Sequence, residues 1–135
     1  MGEYRLKKEE RIKSKKLSDY IFNGGAKSFS NFPIRIVYKE DPNPSGNRVK
    51  ILVSVSKKRF KHAVDRNRVK RLMRESYRLN KAEIQKYAEE KNQFLAISFI
   101  YLSNSIKPFE VIEEKMKTLL HMVTEEDYRN EEVIG

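Results

Sequence analysis

The spacing of apolar residues changes period several times along the chain, and each change marks an element. Leu17, Tyr20 and Ile21 stand at i, i+3 and i+4. That spacing places them on one helical face and predicts a short helix over Lys13–Asn23. Phe22 lies beside this face, and Gly24-Gly25 supplies the stop, because glycine accepts the left-handed backbone found past helix ends. Phe32, Ile34, Ile36 and Tyr38 then alternate with Pro33, Arg35 and Val37, which predicts a strand over Phe29–Tyr38. Pro33 has no amide donor and belongs early in a strand or at an edge. Residues 41–47 are turn-forming, and Val49, Ile51, Val53 and Val55 mark the next strand, Arg48–Val55. A polar turn between two strands predicts an antiparallel hairpin.

From His62 to Asn80 the period becomes helical. Val69, Leu72, Met73 and Tyr77 form an apolar stripe at i, i+3, i+4 and i+8. Residues 82–90 either extend this helix or form a second piece after Asn80. Phe94–Tyr101 is a strand rich in β-branched and aromatic residues, and Ser103–Ser105 is a turn. Val111, Ile112, Met116, Leu119 and Leu120 give a final helix from Lys107 to about Val123. Residues 1–12 read as a loose basic arm and 124–135 as a frayed acidic tail of a single domain spanning 1–135. A hairpin, a crossover helix, a third strand and a last helix predict an α+β fold, a two-layer α/β sandwich. The later helices cover one face of its small sheet, and the first covers the other in part.

Charge adds a direction to this picture. The 135 residues carry a formal net charge of +10. Residues 57–81 alone hold eleven Lys and Arg against Asp65 and Glu75, while 82–135 hold six against eleven acids. Such clustering is the footprint of a polyanion-binding surface. The chain has no cysteine, which excludes disulfides, thiolate zinc sites and a cysteine nucleophile. That fits a reducing compartment, and a cytoplasmic protein is expected. The apolar run Phe94–Leu102 is too short to span a bilayer, and the N-terminus lacks an apolar signal core.

Like charges stack at Arg66, Lys70, Arg74 and Arg78, with Arg71 and Asn67 close by. A solvated helix face ordinarily mixes signs to gain i,i+4 pairs. The stack is repulsive unless an external anion neutralises it, and arginine suits bidentate phosphate contacts. A charged face kept for solubility is the plainer alternative, and a nonspecific DNA binder is another, although no major-groove motif is present. His62 and His121 are far apart, and Glu113-Glu114 and Glu125-Glu126-Asp127 read as solvated charge. No protein-borne catalytic or metal-ligand set is expected. Phe32 and Phe94 are read as core.

The block Arg66-Asn-Arg68 followed by Val-Lys-Arg-Leu-Met-Arg74 resembles the RNR signature of the bacterial ribonuclease P protein family. Ser54-Val-Ser-Lys-Lys58 and Ala63-Val64 are similar to that family's approach to the signature, and Arg5-Leu-Lys-Lys8, Phe22 and Gly25 to its N-terminal region. The resemblance covers about residues 5–122. It implies a mixed sheet with a left-handed crossover and one strand more than the pattern gives, which a division of the Phe29–Tyr38 strand would supply.

By the same resemblance the protein acts in removal of the 5′ leader of precursor tRNA, a reaction catalysed by an RNA subunit with bound Mg2+. Lys57, Lys58, Arg66, Asn67, Arg68, Lys70, Arg71 and Arg74 would contact RNA. Phe22, Arg35, Val37 and Ser54 would line a leader cleft between the first helix and the open sheet face. An aromatic can stack on any base there, and lysines can follow the backbone. Two departures stand out. Ser18 occupies the place of a customary aromatic one turn before Phe22, and the stretch between Lys58 and Arg66 is one residue longer, with Phe60-Lys61 replacing a small residue. A noncatalytic ribosomal or ribosome-assembly RNA-binding protein is the alternative reading.

Overall fold

The computed structural model describes residues 6–44 and 46–134, with side chains described as far as Glu126. After one 3₁₀ turn at Lys8–Glu10, the elements are α1 (Lys15–Ile21), β1 (Lys27–Asn31), β2 (Ile34–Glu40), β3 (Val49–Ser54), α2 (Ala63–Asn80), α3 (Ala82–Glu90), β4 (Leu95–Tyr101) and α4 (Phe109–Ile134). The expected first strand is two strands. Phe32-Pro33 is a two-residue turn that pairs Asn31 with Ile34, and the Pro33 carbonyl accepts from the Leu102 amide at 2.7 Å.

The four strands form one mixed sheet in the order β1-β2-β4-β3. The expected hairpin between the second and third strands is therefore overturned. β4 lies between them, antiparallel to β2 and parallel to β3. The physical reason is burial. Every residue of β4 except Ile100 is buried, so this apolar run stabilises the sheet most where both its faces are covered. The turn 41–47 becomes a connection held by its first residue. The Asp41 amide donates to the Phe94 carbonyl at 2.7 Å, and its carboxylate accepts from Asn43 at 3.0 Å and lies 3.6 Å from Lys50 Nζ.

Alternation along the strands divides the apolar residues between two faces. Ile36, Ile51, Ile97 and Phe99 face α2, α3 and α4, meeting Met73, Tyr77, Ile84, Met116 and Leu120 in the main core. The Tyr77 and Phe99 rings lie 5.8 Å apart. On the other face Val37 and Ala96 pack beneath Ile21 of α1 and Ile12. The result is the expected two-layer α+β sandwich with helices mainly on one face. Residues 82–90 form a separate helix after Lys81. Helix α4 continues to Ile134, beyond the expected end near Val123. The N-terminal arm is packed where it is described: Leu6 lies against the main core, and Glu10 and Ile12 are buried.

Candidate nucleic-acid interface

Helix α2 follows β3 after the lead-in 55–62. Ser56 organises the turn between them, accepting from the Lys58 amide on its hydroxyl at 3.0 Å and from the Arg59 amide on its carbonyl at 3.1 Å. Phe60 is buried against Tyr101, with ring centroids 6.1 Å apart, and so anchors the lead-in while Lys57 and Lys58 stay exposed. Arg66 closes the junction. One of its terminal guanidinium nitrogens donates to the carbonyls of Phe60 and Lys61 at 2.9 and 3.0 Å.

Helical geometry, about 100° per residue, then spreads the signature tripeptide over three faces. Arg66 turns toward the lead-in loop, Asn67 faces a groove, and Arg68 is exposed on a third side. Asn67, Arg71, Arg74 and Arg78 line one wall of that groove, which has a volume of about 490 Å³, and Leu6 and Arg11 line the other. Glu75 is the one carboxylate of the lining and lies 3.6 Å from Arg78. Lys70 is half-buried beside the groove. Burial, and secondly the charge of Arg11, lower the pKa of Arg74. Four guanidinium groups facing one groove repel one another, and a phosphodiester backbone would relieve that repulsion.

The expected cleft residues occupy the opposite face of the sheet. Register places Ser30, Arg35, Ile100 and Ser54 in one row across all four strands. Arg35 is exposed and its Nε donates to Ser28 Oγ at 2.9 Å, while Ser54 is half-buried. Val37 lies one row further in, beneath α1, and is 6% exposed. It is therefore floor rather than contact surface, because Ile21 and Ile12 cover it. Phe22, at the C-cap of α1, is 51% exposed. Ser18 is half-buried, so the helix presents Phe22 without a second aromatic one turn earlier.

Phe32 corrects the sequence reading. Strict alternation put it in the core with Ile34 and Ile36, but the β1–β2 turn lifts it out to 58% exposure, with Lys107 Nζ 5.9 Å from its ring centroid. Pro33 was the available signal, since a proline at a strand break ends the alternation. Phe94 is half-buried beneath the Arg48 guanidinium, 4.7 Å from its ring centroid. The histidines are separate: His62 is exposed at the N-cap of α2, and His121 bridges Glu83 and Glu125 at 3.0 Å each. Among the described residues, none of the helices is long and apolar enough to cross a membrane.

A small mixed sheet with an arginine-lined crossover helix on one side and a half-covered face on the other defines an α+β protein with one groove lined by cations. The family model for Ribonuclease P matches residues 6–124. A ribonuclease P protein component of Porphyromonas gingivalis is 38% identical over 115 residues, covering 85% of this chain and 83% of that one. One from Chlorobium phaeobacteroides is 31% identical over 128 residues, with 87% of each chain covered. The chain belongs to the bacterial ribonuclease P protein component family. Its fold is shared with the ribonuclease P proteins of Staphylococcus aureus, at a TM-score of 0.66, 23% identity and coverage of 84% of this chain and 94% of that one. The Thermotoga maritima protein gives 0.64 and 23%, with 82% and 94% covered.

Proposed function

We propose that this chain binds the catalytic RNA of ribonuclease P through the α2 groove and holds the 5′ leader of precursor tRNA on the open sheet face. In this reading it promotes endonucleolytic removal of the leader in the cytoplasm. The cutting belongs to the RNA subunit, which carries the Mg2+. The groove lined by Arg11, Asn67, Arg71, Arg74 and Arg78 is the observation that carries the proposal, because it gathers cations where a phosphate backbone can pass. Lys57, Lys58 and Arg68 extend this surface around the start of α2, and Lys70 borders it.

On the sheet face, Phe22 supplies a stacking surface, and Arg35 and Ser54 supply polar contacts to a single strand, above a floor formed by Val37. None of these groups distinguishes one base from another by a fixed donor and acceptor pattern. The surface therefore suits leaders of varied sequence.

Reconstitution with a bacterial ribonuclease P RNA tests the reading. The chain should stimulate cleavage of precursor tRNA at low Mg2+ and cleave nothing alone. Phe22→Ala should weaken binding of a substrate with a leader and leave binding of mature tRNA unchanged. No stimulation, with the RNA active by itself at high Mg2+, would contradict the proposal.

A further inference from the structure

One wall of the α2 groove is not part of α2 at all. It is the segment Leu6–Arg11, and a buried carboxylate holds it there. The Glu10 side chain and the Lys81 side chain are each 4% exposed. Lys81 Nζ donates to the two Glu10 oxygens at 2.9 and 3.1 Å, Gln85 Nε2 donates to Oε1 at 2.9 Å, and the Lys7 amide donates to Oε2 at 2.7 Å. Both carboxylate oxygens are thus satisfied. The carboxylate reaches across 71 residues of sequence to Lys81, the residue where α2 ends and α3 begins.

The neighbouring residues explain what such a bond can do. Arg11 makes a parallel bridge to Ile51 at the edge of the sheet, and the Ile12 amide donates to the Ile51 carbonyl at 2.7 Å. Ile12 is buried in the second core, while Arg11 is exposed and lines the groove. A single bridge does not fix register on an edge strand. A slip of one residue would exchange the faces of Arg11 and Ile12, turning the cation into the core and the isoleucine into the groove. A buried ion pair contributes little net stability compared with an apolar pair, and its best-attested use is to set register.

We propose that Glu10 and Lys81 form a register clamp that sets Arg11 opposite Arg71 and Arg74 as a further phosphate contact for RNA. Arg11 is then a contact residue, and Glu10 is a positioning residue acting through it. The inference rests on the RNA-binding reading of the groove given above.

Affinity for a bacterial ribonuclease P RNA, measured against KCl concentration, tests the clamp in the full chain. Arg11→Ala should lower the slope of log K against log salt by roughly one unit. Glu10→Gln, isosteric but lacking the charge opposite Lys81 and one of the two acceptor oxygens, should lower it by the same amount. The double variant should show no further loss, because Arg11 is already displaced. Amide exchange at Ile12 should quicken in Glu10→Gln while α2 amides keep their protection, which separates release of the segment from unfolding.

A wild-type slope in Glu10→Gln, or additive losses in the double variant, would overturn the clamp. So would a wild-type slope in Arg11→Ala. Should Glu10→Gln fail to fold, Glu10→Met/Lys81→Met replaces the pair by apolar side chains and removes the clamp without leaving an unpaired buried charge. A reduced slope with faster Ile12 exchange then supports the clamp, and both unchanged overturn it. A wild-type chain that binds none of the RNA would remove the underlying reading instead, while the exchange data would still report on the clamp.

Discussion

Arg66, Asn67 and Arg68 are adjacent in sequence and do three different things. Arg66 spends part of its guanidinium on the carbonyls of Phe60 and Lys61, so its removal loosens the entry to α2. Arg66→Ala should lower stability by about 1.5–3 kcal/mol, the range for hydrogen bonds involving a charged group, read from urea unfolding. Arg68→Ala, at an exposed position, should leave stability within about 0.5 kcal/mol of wild type. The apolar stripe of α2 divides similarly. Met73 is fully buried and Leu72 is half-buried. Met73→Ala should therefore cost about 2–5 kcal/mol, and Leu72→Ala less, by the same measurement. Tyr77 shares this face. Its hydroxyl is buried without a partner, and burial first, then the Glu10 charge, push its pKa up, which favours the neutral ring.

Between elements, α3 and α4 are joined at the surface by His121, which lies 3.0 Å from both Glu83 and Glu125. The bond to Glu83 is the largest of the effects that raise the His121 pKa above its ordinary value. A raised pKa in the folded state means that the folded chain holds the proton more tightly. The contribution is then complete below about pH 6.5 and is lost as pH rises through the raised value. Thermal unfolding across that range should show stability falling with pH, and Glu83→Gln should flatten the dependence. His121 is exposed, so the effect is small and screened by salt.

Elements with a long regular period were legible from sequence. The Val69, Met73 and Tyr77 stripe placed α2 within one residue of its observed start, and the apolar run placed β4 as closely. Order within the sheet was not legible, because pairing partners depend on which strand best tolerates burial on both faces, and that is a property of the assembled sheet. The groove was half legible: the α2 arginines announced themselves by like-charge stacking, whereas Arg11 looked like one basic residue in an arm. Its proposed role depends on Glu10 meeting Lys81, a contact between distant positions that local spacing does not encode. The burial of Val37 was not legible for a related reason. Its place on the strand was read correctly, but not the cover that Ile21 and Ile12 provide.

Over the whole molecule, charge is sorted by segment of the chain. Eleven cations concentrate in residues 57–81, and the later residues, including α4, carry the acidic excess. A molecule polarised in this way approaches a polyanion with α2 leading, and its association should slow as salt rises. The two proposed RNA surfaces differ in charge. In the proposed function the catalytic RNA would meet a groove lined by cations, where counterion release dominates. The leader would meet a sheet face carrying Phe22 and Arg35, where stacking contributes and salt matters less. The measurement that bears most directly on this account is the salt dependence of affinity for a bacterial ribonuclease P RNA, compared between wild type and an Arg71→Ala/Arg74→Ala variant of equal stability. The account predicts a slope reduced by roughly two units, one for each lost phosphate contact. A slope and affinity equal to those of the wild type would contradict it.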